Sequence, residues 1–244
     1  MRAFITIEYN GGAYLGWQKN GEQKTICYEL ERAFSRVLSQ EIKIVASGRT
    51  DAGVHAVKQS AHFDFSNKEI SLKALLHAVN RILPIDVRIT SIKEVSERFH
   101  ARYNVKSKTY LYKCYTSSIS SPLKEGFFCH YPSVLNIENM KKCASQLIGE
   151  HNFKAFCLSG SDAENFIRRI MSIDIMRKKD EIYFYVKGKG FLYSMVRLIV
   201  GTLLAVGEGK ITCEQVKISL ETGDKNHVGK KVDACGLYLY DVEY

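Results

Sequence analysis

Apolar and polar residues alternate from the first positions of the chain. Ala3, Ile5, Ile7 and Tyr9 face one way and Phe4, Thr6 and Glu8 the other, which predicts a strand. After a gap, Thr25 stands before Ile26, Leu30, Ala33, Phe34, Val37 and Leu38, a helical stripe with a capping residue in front. Residues 42–47 read as a strand leading into a glycine-bounded loop. Residues 57–65 alternate again, with Val57, Ala61, Phe63 and Phe65 on one side. Ser71 opens a second helix through Leu72, Leu75, Leu76 and Val79 that stops near Pro84, and residues 87–95 form another strand.

The order then recurs. Residues 108–116 predict a strand, and Asn136 caps a helix through Ile137, Met140, Ala144, Leu147 and Ile148 that Gly149 ends. Residues 167–177 and 181–187 read as paired strands, followed by an apolar helix from about 191 to 206 that stops at Gly207. Thr212 starts a short extra helix and residues 237–242 are a last strand. The pattern is β-α-β-β-α-β twice. It predicts an α+β fold of two similar subdomains, 1–105 and 106–244, each with an antiparallel sheet, and a cleft between them as the natural place for a site. Ser159-Gly160-Ser161-Asp162 reads as a loop, either a lid or a linker.

Composition narrows the function. Hydrophobic residues make up 45% and charged residues 25% of the 244, an ordinary globular balance. A net charge of +9 favours a polyanionic partner, because lysine and arginine displace counterions from phosphates. The seven cysteines are odd in number and form no C-x-x-C pair, so we expect a reduced, cytosolic protein with buried thiols and no structural zinc. The start, Met1-Arg2-Ala3-Phe4, lacks a leader layout, and the longest apolar stretch, 16 residues with Arg197 inside it, is short for a bilayer.

The chemistry concentrates in Gly48-Arg49-Thr50-Asp51-Ala52-Gly53-Val54-His55. An arginine beside an aspartate keeps the carboxylate ionised and directs it, as a nucleophile or base requires. The same three residues would also suit a turn with a surface ion pair. Arg197 sits in an otherwise apolar helix. A charge there either snorkels to water or pairs with a buried carboxylate, and Asp51 is the candidate. Lys187-Gly188-Lys189-Gly190-Phe191 is a basic, glycine-rich turn before that helix that could meet a phosphate, yet no nucleotide-triphosphate motif is present. Tyr110, Tyr112 and Tyr115 lie among Lys106, Lys108 and Lys113, which suits either base stacking or plain strand packing. No histidine pair has metal-ligand spacing, so His55, His62 and His100 read as structural. Arg168-Arg169, Arg177-Lys178-Lys179 and Lys230-Lys231 read as solvated faces with room for RNA contact.

A resemblance adds to these readings. Tyr14-Leu15-Gly16-Trp17-Gln18, the Gly48 to His55 string with Ala56, Phe99-His100-Ala101-Arg102, Lys108-Thr109-Tyr110-Leu111-Tyr112, Gly149-Glu150-His151-Asn152-Phe153, Gly190-Phe191-Leu192-Tyr193-Ser194-Met195-Val196-Arg197, Val200-Gly201-Thr202-Leu203-Leu204 and Gly236-Leu237-Tyr238-Leu239 occur in this order across nearly the whole chain. The chain resembles the TruA-type tRNA pseudouridine synthases. The resemblance implies conversion of uridine to pseudouridine in the anticodon arm of tRNA, at about positions 38 to 40, without metal or cofactor. It also implies two α+β halves whose sheets adjoin, with helices on one side and the active site between, and a cytoplasmic homodimer that engages tRNA. Carried over by position, Asp51 is the catalytic carboxylate and Arg49 helps flip or hold the target nucleotide. Tyr110 stacks on the base and can move a proton, Arg197 pairs with the aspartate, and Leu237 packs on the base. Two positions depart from the family pattern: Cys27 follows Thr25-Ile26 in place of glutamine, and Val232-Asp233-Ala234-Cys235 lacks the proline that often precedes Gly-Leu-Tyr. A synthase acting on another RNA site stays open as an alternative, as does a non-catalytic RNA-binding module, which would have no need of Asp51.

Overall fold

The computed structural model describes residues 1–18, 24–66, 70–160 and 163–244, so Ser161 and Asp162 of the expected lid or linker lie outside the described residues. The chain is α+β and forms two compact units, one of Met1–Lys106 with Tyr238–Tyr244, the other of Ser107–Leu237.

In the first unit the chain runs β1 (Arg2–Tyr9), α1 (Ile26–Leu38), β2 (Val45–Ala46), β3 (His55–Asp64), α2 (Leu72–Ile82) and β4 (Val87–Val95). Strand β1 is central and antiparallel to both β3 and β4. Both helices begin where the sequence expects. Thr25 and Ser71 accept hydrogen bonds from the N–H groups of Tyr28 and Ala74, and each such cap is worth about 1 kcal/mol. Helix α1 lays Phe34 on Phe63 of β3 at 4.3 Å between ring centroids, and both rings are buried.

Two departures from the sequence pattern have local causes. Only Val45–Ala46 of the expected 42–47 strand pairs as a strand. The N–H groups of Ile42 and Ile44 are taken instead by Ser35 Oγ and Glu31 Oε1 of α1, at 2.9 and 3.0 Å. Val57 is exposed rather than inward, because Ile7 faces Gln59 while Tyr9 faces Ala56. The extra residue on β3 is a bulge, and beyond it the inward side passes to Ala56.

Among the described residues, neither α1 nor α2 packs on the opposite face of this sheet. Phe4, Phe99 and Tyr244 meet there with centroids 5.1 to 5.4 Å apart. The last strand, β10 (Leu237–Glu243), delivers Tyr244 and pairs with β3 in parallel, Tyr238 beside His55 and Leu239 beside Ala56. That pairing departs from the all-antiparallel expectation. By chain order β10 ends the second β-α-β-β-α-β series, but most of it belongs to the first unit.

The second unit contains β5 (Ser107–Tyr115), β6 (Cys129–His130), α3 (Ile137–Gln146), β7 (Gly149–Asn152), β8 (Ile167–Lys178), β9 (Glu181–Gly188), α4 (Met195–Gly207) and α5 (Cys213–Thr222). Strands β5, β9, β8 and β7 pair antiparallel in that order, and the short β6 pairs with β5 in parallel. Tyr112, Cys114, Ile182, Phe184, Val186, Ile173 and Ile175 form its buried face, against which α3 and α4 pack. Asn136 caps α3, and Thr212 caps α5 with a reciprocal bond from Gln215. Helix α4 starts at Met195, four residues after the expected start, because Ser194 holds φ 57°, outside the helical range. No helix of the described residues is long and apolar enough to cross a membrane.

Candidate active site

The 48–55 loop joins β2 to β3 and is braced from below by the 11–17 segment. The Trp17 N–H donates to the Thr50 carbonyl at 3.0 Å, and the Gly53 N–H donates to the Tyr14 carbonyl at 3.3 Å. Gly16 makes this approach possible. A Cβ there would lie 2.6 Å from the Thr50 oxygen, and its φ of +86° already disfavours any other residue. The Thr50 side chain turns inward onto the Tyr9 hydroxyl at 2.8 Å, inside a buried pocket that raises the Tyr9 pKa by desolvation. Gln59 ties off the loop's entrance, accepting from Ser47 Oγ at 2.8 Å and donating to the Gly48 carbonyl at 3.0 Å. At the exit, His55 Nδ1 accepts the Gly11 N–H at 3.1 Å while its ring stacks on Tyr238 at 4.7 Å.

With Thr50 buried, its neighbours turn outward: Arg49 is exposed and Asp51 half-buried. A half-buried carboxylate on a fixed main chain can be aimed without meeting the full cost of desolvation. The family string Tyr14-Leu15-Gly16-Trp17-Gln18 therefore has a physical task here, which is to hold the 49–51 main chain. Sequence reasoning noted that string only as a resemblance. Its spacing to residues 50–53 carries no local signal.

Tyr110, Arg197 and Leu237 belong to the second unit. Tyr110 is on β5, 9% exposed, with its ring edge-on to Phe191 at 5.1 Å. Arg197 lies in the first turn of α4 and is half-buried, and its Nε donates to the Val232 carbonyl at 2.8 Å. The 229–232 segment reaches Arg197 because Gly201 leaves room for it. A Cβ on Gly201 would lie 1.9 Å from the Lys230 oxygen. Leu237 is 5% exposed at the head of β10, following a turn held where the Tyr112 hydroxyl donates to the Asp233 carbonyl at 2.9 Å.

Tyr112 and Tyr115 are core residues, the latter stacked on His130 at 4.7 Å, so the base-stacking reading does not extend to them. The Lys187-Gly188-Lys189-Gly190 turn ends β9 and is separated from α4 by the 191–194 turn, so it does not sit on that helix's N-terminus. A groove of about 590 Å³ in this unit is lined by Thr109, Lys141, Ser172, Asp174, Tyr185 and Lys187 among others. Strand periodicity turns Tyr110 to the other face from Thr109, so this groove does not surround Tyr110. Of the two departures from the family pattern, Cys27 is buried on α1 under Ile44, and Cys235 Sγ reaches the Phe128 carbonyl at 3.6 Å. Among the described residues, no group of three or more His, Cys, Asp or Glu could hold a metal ion.

The chain matches the family model described as tRNA pseudouridine synthase over residues 5–104 and 143–244. It is 39% identical over 241 residues to a tRNA pseudouridine synthase A 2 of Bacillus cereus, covering 98% of each chain. It is 38% identical over 246 residues to tRNA pseudouridine synthase A of Bacillus pumilus, covering 100% of this chain and 99% of that one. With the protein of that name from Caldicellulosiruptor saccharolyticus the identity is 39% over 240 residues and 98% of each chain. Among solved structures, a chain of a Cbf5-Nop10-Gar1 complex aligns over 94% of this chain and 60% of its own at 13% identity, with a TM-score of 0.37, a likeness that carries no argument.

Proposed function

The chain belongs to the tRNA pseudouridine synthase family, an isomerase family acting on tRNA, and from that membership we propose that it converts uridines of the anticodon arm, at about positions 38 to 40, with Asp51 as nucleophile. The observation that carries the residue assignment is the brace beneath the 48–55 loop. It fixes the main chain on both sides of Asp51 while leaving the carboxylate half-buried.

The reaction is redox-neutral. The N1–C1′ bond of the nucleotide breaks, the base turns, a C5–C1′ bond forms, the C5 hydrogen is lost to solvent as a proton, and N1, released from the sugar, takes up a proton from solvent. The uridine must first leave its stack, because neither N1 nor C5 can be worked on within a helix. Arg49, exposed beside the acid, would hold the flipped nucleotide by its phosphate or occupy the space it vacates. Asp51 attacks as a carboxylate or stabilises charge as the glycosidic bond breaks. Tyr110 stacks on the base and Leu237 packs beside it, offsetting part of the unstacking cost. By the family pattern Arg197 is the cation assigned to Asp51. No step calls for a metal or a cofactor. The same reading has the protein act on tRNA as a homodimer in the cytoplasm.

Tritium release from tRNA labelled at uridine C5 tests this directly. Wild type should release the label, and Asp51→Asn should lose roughly 10³-fold or more of the rate with tRNA binding kept. Appreciable turnover by a clean Asp51→Asn preparation would remove Asp51 from the chemistry. Mapping the modified positions then tests the anticodon arm, and pseudouridine found only elsewhere would overturn that choice of site.

A further inference from the structure

Beyond β4 the chain folds into a short loop, 96–104, on the face of the first unit's sheet that carries Phe4 and Tyr244. Its main chain is pinned at several points. Arg2 Nη1 donates to the Glu97 and Phe99 carbonyls at 2.5 and 2.7 Å. The Ala101 N–H donates to His62 Nδ1 at 3.1 Å, and the Ala101 carbonyl accepts the Tyr244 hydroxyl at 2.8 Å. The His100 ring is fixed from within, since its Nδ1 accepts the N–H groups of Arg102 and Tyr103 at 3.2 and 3.3 Å.

On this locked imidazole lies Tyr103, stacked at 4.2 Å and 27°, yet 77% exposed. One face of the phenol ring rests on His100 and the other opens to solvent. Core packing does not explain a large aromatic held flat in this position. Arg98, Arg102 and Lys106 are exposed along the same stretch, as is Lys93 at its edge, against the exposed acids Glu94 and Glu97. A pre-ordered aromatic face among cations is what an unpaired nucleobase and its phosphates bind, and the ordering entropy is already spent in the free protein.

Position separates this feature from the reacting base. His62, which anchors the loop, lies seven positions along β3 from His55, where the Asp51 loop ends. At strand rise the two histidines stand about 20 Å apart, several nucleotides away on an RNA.

We propose that Tyr103, seated on His100 and flanked by Arg98, Arg102 and Lys106, is a stacking platform for an unpaired base of the tRNA, remote from the uridine that reacts. The inference rests on the RNA-substrate reading above. It makes Tyr103 a positioning residue that contributes to tRNA binding and leaves the chemical step alone.

The test measures tRNA affinity, KM and kcat for wild type, Tyr103→Ala, Tyr103→Leu and Tyr103→Trp, with thermal midpoints and solution mass alongside. Tyr103→Ala and Tyr103→Leu should weaken binding and raise KM by about 5- to 100-fold, with kcat at saturation within about twofold. Tyr103→Trp should bind as wild type does. Leucine still covers His100 but offers no π-face, so wild-type affinity in Tyr103→Leu would overturn the proposal, as would wild-type affinity in Tyr103→Ala. A fall in kcat matching the fall in affinity would place Tyr103 in the chemistry instead. A change of solution mass with unchanged affinity would assign the surface to a second copy of the chain. Wild-type protein that neither binds nor modifies tRNA would defeat the functional reading itself, an outcome distinct from all of these.

Discussion

Two segments of the first unit, 11–17 and 96–104, are tied near opposite ends of β3 by the same device. His55 Nδ1 accepts the Gly11 N–H at one end, and His62 Nδ1 accepts the Ala101 N–H at the other, each at 3.1 Å. What surrounds the anchor differs. The 48–55 loop is gripped by main-chain groups of the 11–17 segment, with a glycine at the closest approach. The 96–104 loop is held mostly by side chains, namely Arg2, Asn104, His100, His62 and Tyr244. Main-chain bracing holds atoms in fixed geometry and does not titrate, which suits the bond-making proposed for Asp51. Side-chain bracing suffices for a platform that only has to present a face.

The sharpest way to break this comparison is at Gly16. An alanine there meets the Thr50 oxygen and must also adopt a positive φ, so Gly16→Ala should cost about 2–4 kcal/mol and carry activity down with it. Urea unfolding and label release, run together, would show this. Unchanged stability would mean that the 11–17 segment is not a rigid brace.

Next comes acid. Burial, then Arg2 and His100, push the His62 pKa down from 6.5 to about 4. The unfolded chain therefore takes up a proton that the folded protein refuses. The stability that His62 contributes is complete above pH 6.5, falls away as pH drops from 6.5 toward 4, and changes no further below that. The loss should be on the order of 2 kcal/mol, and His62→Gln should remove this part of the slope. An unfolding midpoint that falls equally with acid in both proteins would show that His62 is not the group responsible. His55 resembles His62 in its hydrogen bond, and the comparison would sharpen if amide exchange in acid loosened 96–104 before 48–55.

The smallest effect lies beneath Thr50. Tyr9→Phe removes one buried hydroxyl and its contacts with Thr50 and Gln59, and about 1 kcal/mol of stability should go with it, together with a modest fall in turnover. A loss confined to stability would mean that Thr50 keeps its place through the Trp17 bond alone.

Much of the fold was readable one element at a time. Thr25, Ser71, Asn136 and Thr212 cap helices as their positions predict, and the centres of the apolar stripes are buried, whereas Ile148, past the end of its helix, is exposed. Errors arose where a distant group intervened. Glu31 and Ser35 claimed the N–H groups that would have lengthened β2, a bulge opposite β1 turned Val57 outward, and Ser194 delayed α4. The 49–51 string was visible as chemistry, but its brace was not, because Gly16 and Thr50 are 34 positions apart. Tyr103 went unread for the opposite reason. Nothing in a sequence distinguishes a tyrosine held flat on the surface from one buried in a strand.

The sequence by itself determined the order and kind of the longer elements, missed the short strands β6 and β7, and pointed to Asp51 and Arg49 as the candidates for chemistry. Capping, periodicity and a contiguous motif all act over a few residues, where the covalent chain alone brings groups together. Tertiary structure decided which face of β3 holds Ala56, that β10 lies parallel beside β3, and which main-chain atoms grip the Asp51 loop. Those outcomes depend on groups far apart in the chain meeting within hydrogen-bond reach, and a meeting of that kind is set by the packed whole rather than by either partner's own stretch of sequence.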